Sequence, residues 1–121
     1  MSAKNIVIID DEQEILNMLE KSLSRAGYKV TCFNNPVNAI SSLHKDTDLV
    51  LLDIMMPQMN GLDALPKLIE KNKDIKVLMM TAYSTLDKVL TAHRVGADDY
   101  IMKPFESLDA LGKKIQEMLK R

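Results

Sequence analysis

The sequence predicts an α/β domain, a doubly wound parallel sheet of five strands with a helix after each. Three observations predict it. Five short β-rich runs recur along the 121 residues, at 6–10, 29–33, 48–53, 76–81 and 99–103. Most are continuously apolar, as expected of strands buried on both faces. Segments with helical spacing lie between them, and such alternation implies right-handed crossovers with helices on both sides of the sheet.

Each element has its own signal. The first helical segment carries Ile15, Leu16, Leu19, Leu23 and Ala26, then meets Gly27, a suitable C′ residue. The second opens on Asn35-Pro36, an N-cap followed by proline at N1, and carries Val37, Ile40 and Leu43 at helical spacing. The third covers 62–72, with Pro66 expected to disturb its early turns. The fourth runs from 85 to 95 and stops at Gly96, with Val89, Ala92 and Gly96 toward the sheet. The fifth, 107–120, has Leu108, Leu111, Ile115, Met118 and Leu119 on one side.

Composition narrows the function classes. The length matches a single domain over residues 1–121, either a complete small protein or one module of a longer chain. Hydrophobic residues at 46% and charged residues at 27% argue for a packed core rather than disorder. A net charge of −1 argues against a broad nucleic-acid or membrane face, so neither partner is expected. Cys32 is the single cysteine, which excludes an internal disulfide and a cysteine-based zinc site. Asp10-Asp11 interrupts the first apolar run before a signal segment develops, and no run approaches the ~20 residues of a spanning helix. The expectation is a reduced, soluble, cytoplasmic domain, with His44 and His93 solvated and Cys32 a small apolar filler in the second strand.

The chemistry collects at strand ends. In open parallel sheets, ligands bind beyond the carboxyl ends of the strands. There stand Asp10-Asp11 after the first run, Asp53 after the third, Thr81 after the fourth and Lys103 after the fifth. The second run ends in Phe33-Asn34 and stands apart. Singly, each has an ordinary structural reading: Asp-Asp pairs introduce helices, Thr ends strands and Lys meets water. Together they point elsewhere. Neighbouring first and third strands bring Asp10, Asp11 and Asp53 together, and clustered carboxylates need a cation. Hard oxygen ligands without His or Cys favour Mg²⁺ over Zn²⁺, with backbone carbonyls after Asp53 and water completing the shell. An ammonium and a hydroxyl beside such an ion suit a phosphoryl group in transfer, with Asp53 as nucleophile forming an acyl phosphate.

Around these residues stand Asp10-Asp11-Glu12, Asp53 with Met56-Pro57 and Gly61, Thr81-Ala82, and the run Gly96-Ala97-Asp98-Asp99-Tyr100 through Lys103-Pro104-Phe105. With these elements the chain resembles the receiver domains of two-component response regulators. The resemblance implies a flavodoxin-like (βα)5 sheet ordered 2-1-3-4-5. It further implies that Asp53 accepts phosphate from a histidine kinase or histidine phosphotransfer protein. Asp11, Asp53 and the Met55 carbonyl would hold Mg²⁺, with Asp10 acting largely through water. Thr81 and Lys103 would contact phosphoryl oxygens, and Lys103-Pro104 would be cis. Thr81 and Tyr100 would form the switch, Thr81 moving inward and Tyr100 filling the vacated space. The domain would be a phosphoacceptor with its own phosphorylation and dephosphorylation chemistry rather than a turnover enzyme.

Two surfaces follow as partner candidates. Gln13, Ile15 and Met18 with the Pro104-Phe105 turn resemble the family's phosphodonor face, although methionine is more often core filler. Leu86, Leu90 and His93 would rim an output or homodimer surface formed by the fourth helix, fifth strand and fifth helix; a core position for either leucine is the alternative. Met55 and Tyr83 occupy positions where the family varies, and their bulk predicts a phosphoryl lifetime of minutes or longer. Asn60 stands where the family often has Asp, a harmless turn variation. Rival readings fit less well. An acidic Asp10-Asp11-Glu12 turn would repel a flavin phosphate, and Met55 stands where a haloacid-dehalogenase-type phosphatase wants Asp. No Walker loop exists. A receiver-shaped module that no longer takes phosphate ranks second.

Overall fold

The computed structural model describes residues 3–82 and 86–121, with the backbone alone at 86–89. Strands β1 (Asn5–Ile9), β2 (Lys29–Phe33), β3 (Leu49–Asp53), β4 (Lys76–Thr81) and β5 (Asp99–Met102) alternate with helices α1 (Gln13–Arg25), α2 (Pro36–Ser42), α3 (Gly61–Lys71), α4 (Leu86–Val95) and α5 (Leu108–Lys120). All strands pair in parallel, in the order β2-β1-β3-β4-β5.

Alternate strand residues feed two cores. Ile6, Ile8, Leu49, Leu51, Leu78 and Met80 pack against Leu16, Leu19 and Leu23 of α1 and Leu111, Ile115 and Met118 of α5. On the opposite face, Val7, Ile9, Val50, Leu52, Val77 and Met79 meet Ala39 of α2, Ala64, Leu65 and Leu68 of α3, and Ala92 of α4. Continuous burial holds for β3 and nearly so for β1 and β4, whereas the edge strands β2 and β5 are only partly covered.

The helices correct several expectations. Val37 is 50% exposed, because the short α2 turns Pro36 and Ala39 inward while the Asn35 side chain caps the Val37 amide at 2.8 Å. Ala26 is the exposed C-cap of α1 rather than part of its stripe. Leu108 is exposed at the mouth of α5, just after the Ser107 cap. Pro66 does not break α3; it lies on the exposed face, where water can serve the carbonyl its ring leaves unpaired. Ala92 is buried as expected, but Gly96 is exposed and its missing Cβ would meet Ile69 of α3 at 2.6 Å. Thr85 lies outside the described residues, as does the Val89 side chain. Gly27, at φ +97°, ends the turn after α1 as expected. Asn60 caps α3, its side chain accepting from the Leu62 amide at 2.8 Å.

Cys32 is more than filler. Its thiol donates to Glu20 Oε2 at 3.3 Å, and burial, then Glu20, push it up to about 12. Alkylation of Cys32 near pH ~8 is therefore expected to be slow, and Glu20→Gln to quicken it in a thiol-reagent time course.

Gly61 is required by close approach: a Cβ there would lie 2.1 Å from the Asp53 carbonyl oxygen and 2.8 Å from the Ile54 Cα. Gly112, inside α5, has nothing within 4 Å of its Cβ position. In urea unfolding, Gly61→Ala should cost about 1–3 kcal/mol or more, because backbone must move. Gly112→Ala should instead add about 0.5–1 kcal/mol, the gain of alanine over glycine in a helix interior.

Candidate functional site

Strand register assembles the site. Ile9 pairs with Leu52, so Asp10 emerges level with Asp53. Asp53 pairs with Met80, Thr81 follows, and Thr81 pairs with Met102 just before Lys103. Asp10, Asp53, Thr81 and Lys103 are all buried at the carboxyl edge. Strand β2, at the far edge, contributes a backbone carbonyl: that of Phe33 accepts from the Asp10 amide at 3.1 Å.

Lys103 is the hub. Its ammonium donates to Asp10 Oδ2 at 2.5 Å and lies 3.4 Å from Asp53 Oδ2 and 3.5 Å from Glu12 Oε1. Its own amide donates to the Thr81 carbonyl at 2.8 Å, and the Lys103-Pro104 bond is cis. Asp10 Oδ1 accepts from the Glu12 amide at 2.9 Å, and Asp53 Oδ1 accepts from the Met55 amide at 3.4 Å.

Electrostatics follow from burial. Loss of water, then the Asp10 charge, push Asp53 up to about 7. Burial likewise raises Asp10, despite its hydrogen bond to Lys103. Burial pulls Lys103 down, but the Asp10 hydrogen bond and the charges of Asp10, Asp53 and Glu12 outweigh it and hold it up. One ammonium is shared among too many carboxylates.

Asp10, Asp11, Glu12 and Asp53 each bring a carboxylate oxygen within 4.8 Å of the others. The donor set is oxygen alone, half of it solvent-facing, which fits a hard divalent cation such as Mg²⁺ better than zinc. Glu12 is the member that sequence reasoning passed over, although it directly follows Asp10-Asp11.

The response regulator receiver domain model matches residues 6–116. The chain belongs to that family. It is 37% identical over 117 residues to the response regulator SaeR of Staphylococcus aureus strain USA300, covering 97% of this chain and 51% of SaeR. The chain thus spans about half the length of the curated relatives it matches. Among solved structures, a CheY-like receiver domain protein from Methanospirillum hungatei superposes at TM-score 0.90 with 33% identity, over 98% of this chain and 95% of that one. The BeF3-activated DrrB receiver domain superposes at TM-score 0.90 with 26% identity, over 99% and 100%; DrrB is from Thermotoga maritima. This is a receiver domain of a two-component response regulator.

The receiver domain's other candidate residues fall on two surfaces. Gln13 and Met18 are exposed on α1 and Ile15 half-buried, with exposed Pro104 and half-buried Phe105 at the β5–α5 turn. Tyr100 is 41% exposed, its amide donating to Asp99 Oδ1 at 2.8 Å. Lys114 of α5 donates to Asp99 Oδ1 and the Tyr100 carbonyl, both at 3.2 Å, with its ammonium 6.0 Å from the Tyr100 ring centre. Leu90 and His93 are exposed on α4 beside Tyr100, whereas the Leu86 side chain and Tyr83 lie outside the described residues. His44 is exposed too, 3.6 Å from Asp46. No helix among the described residues is long and apolar enough to cross a membrane.

The strain has a sign. Asp53 is raised from 3.8 to about 7, so its stabilising contribution is present below about pH 4 and lost as pH rises through 7. In chelator, Asp53→Asn should therefore be more stable than the parent at about pH 8, with the gap shrinking toward pH ~5. Lys103→Met should lose on the order of 3 kcal/mol at the higher pH, leaving Asp10 and Asp53 buried without their cation. Urea midpoints at the two pH values check both.

Proposed function

We propose that Asp53 is the phosphoacceptor of this receiver domain, taking a phosphoryl group from a histidine kinase or histidine phosphotransfer protein. The observation that carries the reading is the buried Asp53 carboxylate, held 3.4 Å from the Lys103 ammonium between the ends of β1 and β4. Asp53 attacks phosphorus, the P–N bond to the donor imidazole breaks, and its electron pair returns to the ring nitrogen, which takes a proton from solvent. Asp11, Asp53 and the Met55 carbonyl would hold Mg²⁺, with Asp10 acting through water; when bound, the ion neutralises charge on the transferring oxygens. Lys103 would move from Asp53 to a phosphoryl oxygen, and the Thr81 hydroxyl would donate to another.

The readout would follow from packing. As Thr81 shifts toward the new acceptor, Tyr100 rotates inward from its exposed position, a population shift that the phosphate favours because it contacts only one arrangement well. The changed surface would be α4, β5 and α5, offered to an output partner or a second copy. The donor would dock on Gln13, Ile15, Met18, Pro104 and Phe105. The domain, residues 1–121, would act in the cytoplasm without touching nucleic acid or membrane. It would catalyse its own phosphorylation and dephosphorylation without being a turnover enzyme.

Incubation with acetyl phosphate and Mg²⁺ should add one phosphoryl mass, absent in Asp53→Ala and abolished by chelator, in intact-mass spectrometry. With the donor removed, the adduct should persist for minutes or longer, since the bulk of Met55 and Tyr83, two residues beyond Asp53 and Thr81, would shield it from water. Absence of the adduct with both acetyl phosphate and a phosphorylated kinase would support the phosphate-independent module instead.

A further inference from the structure

Val37 of α2 is at odds with its surroundings. A β-branched residue exposed in a helix has poor propensity and gains no burial, yet it is the most exposed large apolar side chain among the described residues. It lines a groove of about 360 Å³ between α2 and α3 with Ile40, Ser41, Met59, Lys67 and Lys71. Val37, Ile40 and Met59 give the groove an apolar lining, and the lysine stems extend it along α3.

Charge indicates the occupant. Lys67 and Lys71 sit one turn apart on α3, both exposed, and neither has an ion-pair or hydrogen-bond partner among the described residues. Among the described residues no acidic side chain lines the groove, and the α2 sequence carries no charge. The chain as a whole is at −1, so this positive, apolar strip departs from the average surface. We propose that the α2–α3 groove docks a protein segment that presents one or two aliphatic side chains flanked by carboxylates. The aliphatic groups cover Val37, Ile40 and Met59, and the carboxylates pair with Lys67 and Lys71 at the rim. This surface is separate from the α1 and α4–β5–α5 faces, so it leaves both free for other partners.

The test is a titration of the isotope-labelled chain, followed by amide NMR shifts. The probe is a capped helical peptide with two leucines one turn apart and glutamates flanking them. Saturable shifts confined to α2, Met59 and α3 are expected. Affinity should fall at least about tenfold with Lys67→Glu/Lys71→Glu and also fall with Val37→Ser, while a lysine-for-glutamate peptide should prefer the charge-reversed protein. Circular dichroism checks that both variants keep the parent fold. No saturable shift, shifts centred elsewhere, or equal binding of a leucine-free glutamate peptide would overturn the proposal; the last would mean plain charge attraction.

Discussion

Lys103 donates to Asp10 at 2.5 Å and lies 3.4 Å from Asp53, and all three side chains are buried. At such distances an interaction worth about 1 kcal/mol in water grows severalfold, and so does the repulsion between the two carboxylates. The ammonium bridges Asp10 and Asp53 at the carboxyl end of the sheet, but burial still leaves Asp53 pushed up to about 7. The site therefore carries a standing demand for more positive charge. It also carries a lysine that is already beside the carboxylate it would leave once an anionic group arrives. Stability and the proposed chemistry depend on the same contact.

Topology makes that contact possible. Lys103 and Asp10 are 93 positions apart, brought together because β1 and β3 are neighbours in the middle of a parallel sheet and β4 and β5 continue it. Parallel strands all deliver their carboxyl ends to one edge, so four residues from four strands meet without any long loop. Gly61 serves the same edge: α3 begins so close to the Asp53 and Ile54 backbone that no side chain fits. Tyr100 stands outward on β5, tied through Asp99 and Lys114 to α5.

The fold was legible because its signals are local and repeated. Apolar runs, the Asn35-Pro36 cap and the Gly27 stop each name an element without reference to the others. The site was legible for a related reason: polar residues directly after apolar runs mark strand ends, and Asp10, Asp53, Thr81 and Lys103 all do so. What the sequence hid depends on which side of an element meets a neighbour. Val37, Leu108 and Ala26 are apolar residues at helix ends, where one residue of offset turns a side chain from core to water. Pro66 looks disruptive until its exposed position on α3 is known. Glu12 joins the carboxylate cluster only through the turn that Asp10 Oδ1 closes on its amide. Cys32 reads as apolar filler until Glu20 is seen to accept from its thiol.

The proposed phosphoacceptor role puts the reactive oxygen on Asp53. It is tested most directly by borohydride reduction of the protein after treatment with acetyl phosphate and Mg²⁺, followed by tandem mass spectrometry. An acyl phosphate is reduced to an alcohol, so homoserine is expected at position 53, with aspartate retained at positions 10 and 11. Homoserine at Asp10 or Asp11, or phosphate found only on a hydroxyl or imidazole, would contradict it.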